Sequence, residues 1–179
     1  TGLLNGRFEH GVIAVDAGGE LMSYFYDEQR DTIINPYDAR AVSWSPLAEL
    51  GGEWDIRRIA NIIVPSQDGN NSEWPHKAQV LLTAIIKRLL ENGETTNSAL
   101  FYYALKADRQ TLADFLAGTE AANFAETEKQ FTDTRMIASQ YLASFTALSD
   151  DAGTQSFAIR DYVQNVQPGH RRALWVPYR

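Results

Sequence analysis

Short apolar runs near both ends of the chain enclose a long middle stretch in which apolar side chains recur with a helical period. Val12-Ile13-Ala14-Val15, bounded by Gly11 and Asp16, predicts a strand buried on both faces, as in a parallel sheet. Gly18 and Gly19 break it. From Glu20, apolar positions at Leu21, Tyr24 and Phe25 have helical spacing, with an acid in the first turn where the helix dipole favours it. A second short strand over residues 32–34 completes a strand-helix-strand unit of the kind that makes a right-handed parallel crossover.

After Trp44 the period changes from two to 3.6. Trp54, Ile56, Ile59, Ala60 and Ile63 mark one helix, stopped by Pro65. A polar loop over residues 66–71 leads to a long helix, about residues 73–91, with Ser72 as its expected cap and Pro75 in the first turn, where amides lack partners anyway. Its stripe is Ala78, Leu81, Leu82, Ile85, Ile86, Leu89 and Leu90, and Asn92-Gly93 ends it. Further helices are expected over residues 99–105, after a cap at Asp108 with Gly118 as the stop, and over residues 128–148 with Ile137, Tyr141, Phe145 and Leu148 on one side. Residues 150–154 form a turn, residues 157–163 read as a strand entering a helix or as a helix alone, and beyond Pro168-Gly169 the run Ala173-Leu174-Trp175-Val176 is a strand.

Sheet, helices, sheet is the order expected when a helical domain is inserted into an α/β domain. The fold class is therefore α/β with a large inserted all-α domain, predominantly helical, with short parallel-type strands near both termini. The expected divisions are residues 1–45, 46–150 and 151–179. Asn35-Pro36-Tyr37-Asp38-Ala39-Arg40, followed by Trp44, sits at the first division. Asn-Pro fixes a turn there, Pro36 cannot continue a ladder, and Asp38 and Arg40 can tie the loop down, so Asn35, Pro36, Asp38, Arg40 and Trp44 are expected to form a structural hinge.

Composition narrows the function. With 179 residues, 44% of them hydrophobic, the chain can bury a sizeable core. The absence of cysteine excludes disulfides and thiolate metal sites. A formal charge of -7 disfavours tight non-specific binding to nucleic acid, which draws on Lys and Arg neutralising phosphates. No apolar run is long enough to span a bilayer. Thr1-Gly2-Leu3-Leu4 leads at once into a strand, so the chain is expected to be a piece of a longer protein.

Candidate chemistry is sparse. Asp16 lies at the carboxyl end of the first strand, where open α/β sheets bind ligands, and it can equally cap the following helix through the Gly18 and Gly19 amides. Neither G-x-x-x-x-G-K-[ST] nor G-x-G-x-x-G occurs, so the chain carries no phosphate loop. His10, His76 and His170 stand far apart, and Glu73-x-x-His76 is a single copy interrupted by Pro75, so no metal site is expected. There is no G-x-S-x-G elbow and no catalytic residue is assigned. Arg57-Arg58 reads as a solvated helix face, while His170-Arg171-Arg172 could meet phosphate or DNA. Phe101, Tyr102 and Tyr103 are adjacent on a helix and cannot all face one side, so at least one is expected to be exposed or to sit under another element.

Asp16-x-x-Gly19-Glu20, Ile34-Asn35-Pro36-x-Asp38-x-Arg40 with Trp44, Trp74 opening a long helix, and Phe157-x-Ile159-Arg160-Asp161-Tyr162 together resemble the coupling proteins of bacterial conjugation and type IV secretion, the TraD-like branch. Ala17 and Gly18 stand where many relatives have Pro and Lys. The resemblance implies a hexameric, membrane-anchored, RecA-like ATPase using ATP and Mg, which brings a relaxase-DNA complex to the secretion channel. It places the parent at the cytoplasmic face of the bacterial inner membrane. It implies an all-α domain, inserted in the nucleotide-binding domain and linked to substrate recognition, here a docking module for relaxase, relaxosome or effector proteins. The parent's phosphate loop is expected outside this chain, so the fragment is expected to hold no cofactor and to be inactive alone. Direct DNA binding through residues 170–172 and an unrelated helical protein-interaction module are the alternatives.

Overall fold

The computed structural model describes residues 11–67, 73–148, 150, 157–167, 169 and 172–178. The expected start at residues 1–4, His10, the Ser72 cap, most of the 66–71 loop, the turn after Asp150, Pro168, His170 and Arg171 lie outside the described residues. Helix accounts for 57% of the chain and the strands form one small parallel sheet, so the expected predominantly helical α/β architecture holds. The chain divides into two compact units, one from the residues up to Trp44 together with those from Ala147, the other from residues 45–146.

The first unit holds strands β1 (Val12–Ala17), β2 (Thr32–Ile33) and β3 (Ala173–Tyr178), with helix α1 (Glu20–Phe25) between β1 and β2. The sheet order is β1-β3-β2, all parallel, with Ala14 beside Trp175 on one side and Ile33 beside Trp175 on the other. The strand-helix-strand unit read from the sequence is thus not a pair of neighbours, because β3 lies between its strands. The core beneath β3 is Ile33, Ala173 and Trp175, with Met22 and Phe25 of α1 packed on it. Leu21 and Tyr24, expected to face inward, are exposed. β1 is not buried on both faces either: Ile13 and Val15 point to the open side, Val15 with 66% of its surface exposed.

The segment after β3's partner strand closes on itself. The Val42 amide donates to the Ile33 carbonyl, the Phe157 amide donates to the Ser43 carbonyl, and Trp44 and Phe157 form an isolated parallel bridge. Phe157 is therefore extended, and helix α7 (Ile159–Asn165) begins two residues later.

The second unit is built on helix α3 (Glu73–Glu91), packed against α2 (Glu53–Ile63), α4 (Asn97–Phe101), α5 (Arg109–Leu116) and α6 (Glu128–Leu142). Ala78, Leu81, Leu82, Ile85, Ile86 and Leu89 are buried along one face of α3, as the spacing predicts. Its end is a Schellman motif: the Glu94 amide reaches the Leu89 carbonyl, the Gly93 amide reaches Leu90, and Gly93 adopts φ 74°. Gln79, buried in the same helix, donates to the Val64 carbonyl and the Ser66 hydroxyl, so the polar end of the α2-α3 connection is held by a core side chain.

Two helical faces differ from the spacing. In α2, Trp54 is 93% exposed while Ile56, Ile59, Ala60 and Ile63 are buried. In α6, the buried face is Thr134, Ala138 and Leu142, one position round from the expected Ile137 and Tyr141, and the α-helix stops at Leu142. The helix expected over 99–105 passes from α4 into a π-helical turn, Tyr102–Lys106, closed by the Ala107 amide on the Tyr102 carbonyl. The three aromatics take different environments, although the Tyr102 and Tyr103 rings still meet edge to face at 5.1 Å. Phe101 is buried, Tyr103 stacks on Phe115 at 3.6 Å, and Tyr102 stands exposed.

Candidate functional site

The carboxyl end of β1 is the place where the sheet could meet a ligand, and its polar groups are already engaged. The buried Asp16 carboxylate accepts the Met22 amide at 2.8 Å and so satisfies one of the orphan donors of α1. The Gly18 amide donates to the Tyr178 carbonyl, and the Gly19 amide to the Asp16 carbonyl. Gly18 and Gly19 have φ of 80° and 75°, the left-handed conformation that glycine adopts without strain. Asp16 caps the helix, then, through Met22 and not through the two glycine amides.

A second carboxylate, which sequence reasoning missed, ties the first unit together. Asp31 accepts the Ala173 amide at 3.0 Å and the Trp175 indole N–H at 3.1 Å, both from β3, and the Asp27 amide from its own loop. Arg30 binds it with two nitrogens, at 2.8 and 3.2 Å. Burial pushes this carboxyl up, but the bonds from Arg30, Trp175, Ala173 and Asp27 together outweigh it and hold it below its usual range. The only signal in the sequence is an acid immediately before a short strand.

The turn after β2 is built from its own side chains. Asn35 accepts the Tyr37 amide with its side chain and the Asp38 amide with its carbonyl. Asp38 accepts the Arg40 amide at 3.0 Å and the Arg40 guanidinium in a two-point bond at 3.0 and 2.7 Å. These bonds from Arg40 lower the Asp38 pKa to about 2. The Arg40 guanidinium also lies 4.8 Å from the centre of the Tyr26 ring. Asn35, Asp38 and Arg40 are therefore joined by hydrogen bonds, while Asn35, Pro36 and Trp44 line a small cleft with Leu148.

Arg172 enters through its backbone. Its carbonyl accepts the Tyr162 hydroxyl at 2.9 Å and the Val12 amide at 3.0 Å, and its side chain is exposed. Tyr162 thereby pins the starts of both β1 and β3 from α7. Gly11 allows this closeness, since a Cβ there would lie 2.7 Å from a Val166 methyl. Arg172 carries an exposed charge as a phosphate contact requires; its proposed neighbour Arg171 is outside the described residues.

In the helical unit, Trp54, Arg57, Arg58 and Ile62 are exposed along one side of α2, with Arg58 paired to Asp55 at 2.8 Å. Between the first turns of α3 and α6 and the short 3-10 helix Ala122–Ala125 lies a cavity of about 270 Å³. Trp74 and Phe124 line it, with Lys77, Lys129, Asp133 and Thr134.

Residues 6–179 match the family described as the type IV secretion-system coupling protein DNA-binding domain. The coupling protein TraD of Escherichia coli (strain K12) is 24% identical over 159 residues, which is 87% of this chain and 22% of TraD. Two solved structures of the plasmid coupling protein TrwB are similar throughout. One, with the non-hydrolysable GTP analogue GDPNP, has a TM-score of 0.76 and 30% identity, covering 94% of this chain and 40% of TrwB. The other, with ADP and Mg2+, has a TM-score of 0.75 and 29% identity over the same shares. The chain thus spans about a fifth of TraD and two fifths of the TrwB chains. The motif string, the parallel sheet interrupted by a helical unit, and these matches agree: the chain belongs to the type IV secretion-system coupling protein family, in its DNA-binding domain.

Proposed function

We propose that this chain is the cargo-engaging part of a TraD-like coupling protein, in which residues 45–146 dock relaxase, relaxosome or effector proteins. The flanking strands are pieces of the parent's RecA-like nucleotide-binding domain. The observation that carries the docking reading is charge: between Ser45 and Thr146 there are thirteen acidic and nine basic side chains, while Trp54 stands almost fully exposed on α2. A net negative surface repels a phosphate backbone, and an exposed Trp beside arginines is the composition of a protein-contact hot spot.

The parent is a homo-hexameric ATPase at the inner membrane in this reading, and TrwB bound to ADP and Mg2+ supports ATP and Mg as its cofactors. Among the described residues, the turn after β1 offers no free glycine amide to a nucleotide's phosphates. The amides of Gly18 and Gly19 are taken by the Tyr178 and Asp16 carbonyls, and one oxygen of the Asp16 carboxylate by the Met22 amide. The test of docking is capture of donor-cell relaxase and accessory proteins by the purified chain, compared with the full-length parent. Retention by the parent and none by the chain would defeat the docking reading.

The family's DNA-binding designation favours a second reading, contact with DNA through Arg171 and Arg172. A mobility-shift assay at low salt tests it. Absent binding, or binding unchanged in Arg171→Ala/Arg172→Ala, removes it.

A further inference from the structure

We draw no further inference here: the strongest candidate, the exposed face of α2 that carries Trp54, Arg57, Arg58 and Ile62, has Arg58 already paired with Asp55, and nothing in the structure shows what covers it.

Discussion

The indole N–H of Trp175 donates to the carboxylate of Asp31 at 3.1 Å, joining the middle strand of the sheet to a loop that precedes it by almost the whole chain. The same carboxylate holds the Ala173 amide, so the position of β3 relative to β2 is set by one side chain as well as by the ladder. Removing it leaves two buried donors and the Arg30 charge without an acceptor. Asp31→Ala is expected to destabilise the sheet by about 3 kcal/mol. Hydrogen exchange at the Ala173 amide and the Trp175 indole measures it, and protection unchanged from the parent sequence would show that the ladder alone suffices.

Asp38 gives a pH signature of its own. Its folded pKa, about 2, lies below the ordinary Asp value of about 3.9, so its contribution to stability is fully present above the ordinary value and is lost as pH falls through about 2. Side-chain carboxyl NMR should place its midpoint there. Arg40→Ala should raise the midpoint part of the way, because the backbone amide of residue 40 remains a donor. A midpoint unmoved by Arg40→Ala would assign the shift elsewhere. The same substitution should loosen the turn, which faster proteolysis around residues 40–50 would report.

Asp16 is expected to behave as a helix cap. Asp16→Ala should cost about 1 kcal/mol, while Asp16→Asn, which keeps an acceptor, should cost much less. The readout is exchange of the Met22 amide. Equal effects of the two substitutions would point to the charge, and so to a ligand role at the strand end.

Gly11 is required by closeness, since its φ does not fall among the left-handed glycines. Gly11→Ala should destabilise by about 1–3 kcal/mol through the clash with Val166. Val166→Ala should relieve part of that loss, a coupling that a double-mutant cycle in urea reads directly. Additive effects would mean that the helix simply moves away.

Trp54→Ala should leave stability within about 0.5 kcal/mol, since the side chain touches little, and should weaken capture of cargo proteins. Undiminished capture would move the docking surface off α2.

What could be read from the sequence divides along physical lines. α3 was legible in full because its buried face is broad and its stop is a glycine whose amide geometry permits little else. The period changes after Trp44, and the compact helical unit begins at Ser45. Faces were harder. Glu20-Leu21-Met22-Ser23-Tyr24-Phe25 is too short to fix a phase, and only contact with Trp175 shows that Met22 and Phe25 face inward. Trp54 continues a stripe by spacing but lies at the first turn of α2, past the reach of the core. Strand order was beyond reach, since β1 and β2 carry no mark that β3 separates them. Asp31 was missed for the same reason: both of its long-range donors belong to a strand whose place could not be known. Among the turn residues, hydrogen bonds join Asn35, Asp38 and Arg40, and nothing in their spacing reveals the Tyr26 ring beneath Arg40.

The strand order has a kinetic side. On a ribosome β1 and β2 emerge before the helical unit, and neither has the other for a neighbour; the strand that lies between them is made only after that unit. Contacts so far apart in the chain form slowly, and the edges of β1 and β2 that β3 will pair wait for it in the interval. The helical unit, whose contacts are local, is in a position to fold during that wait. Trp44 and Phe157, bridged at its two ends, then bring the late strand back beside the early ones.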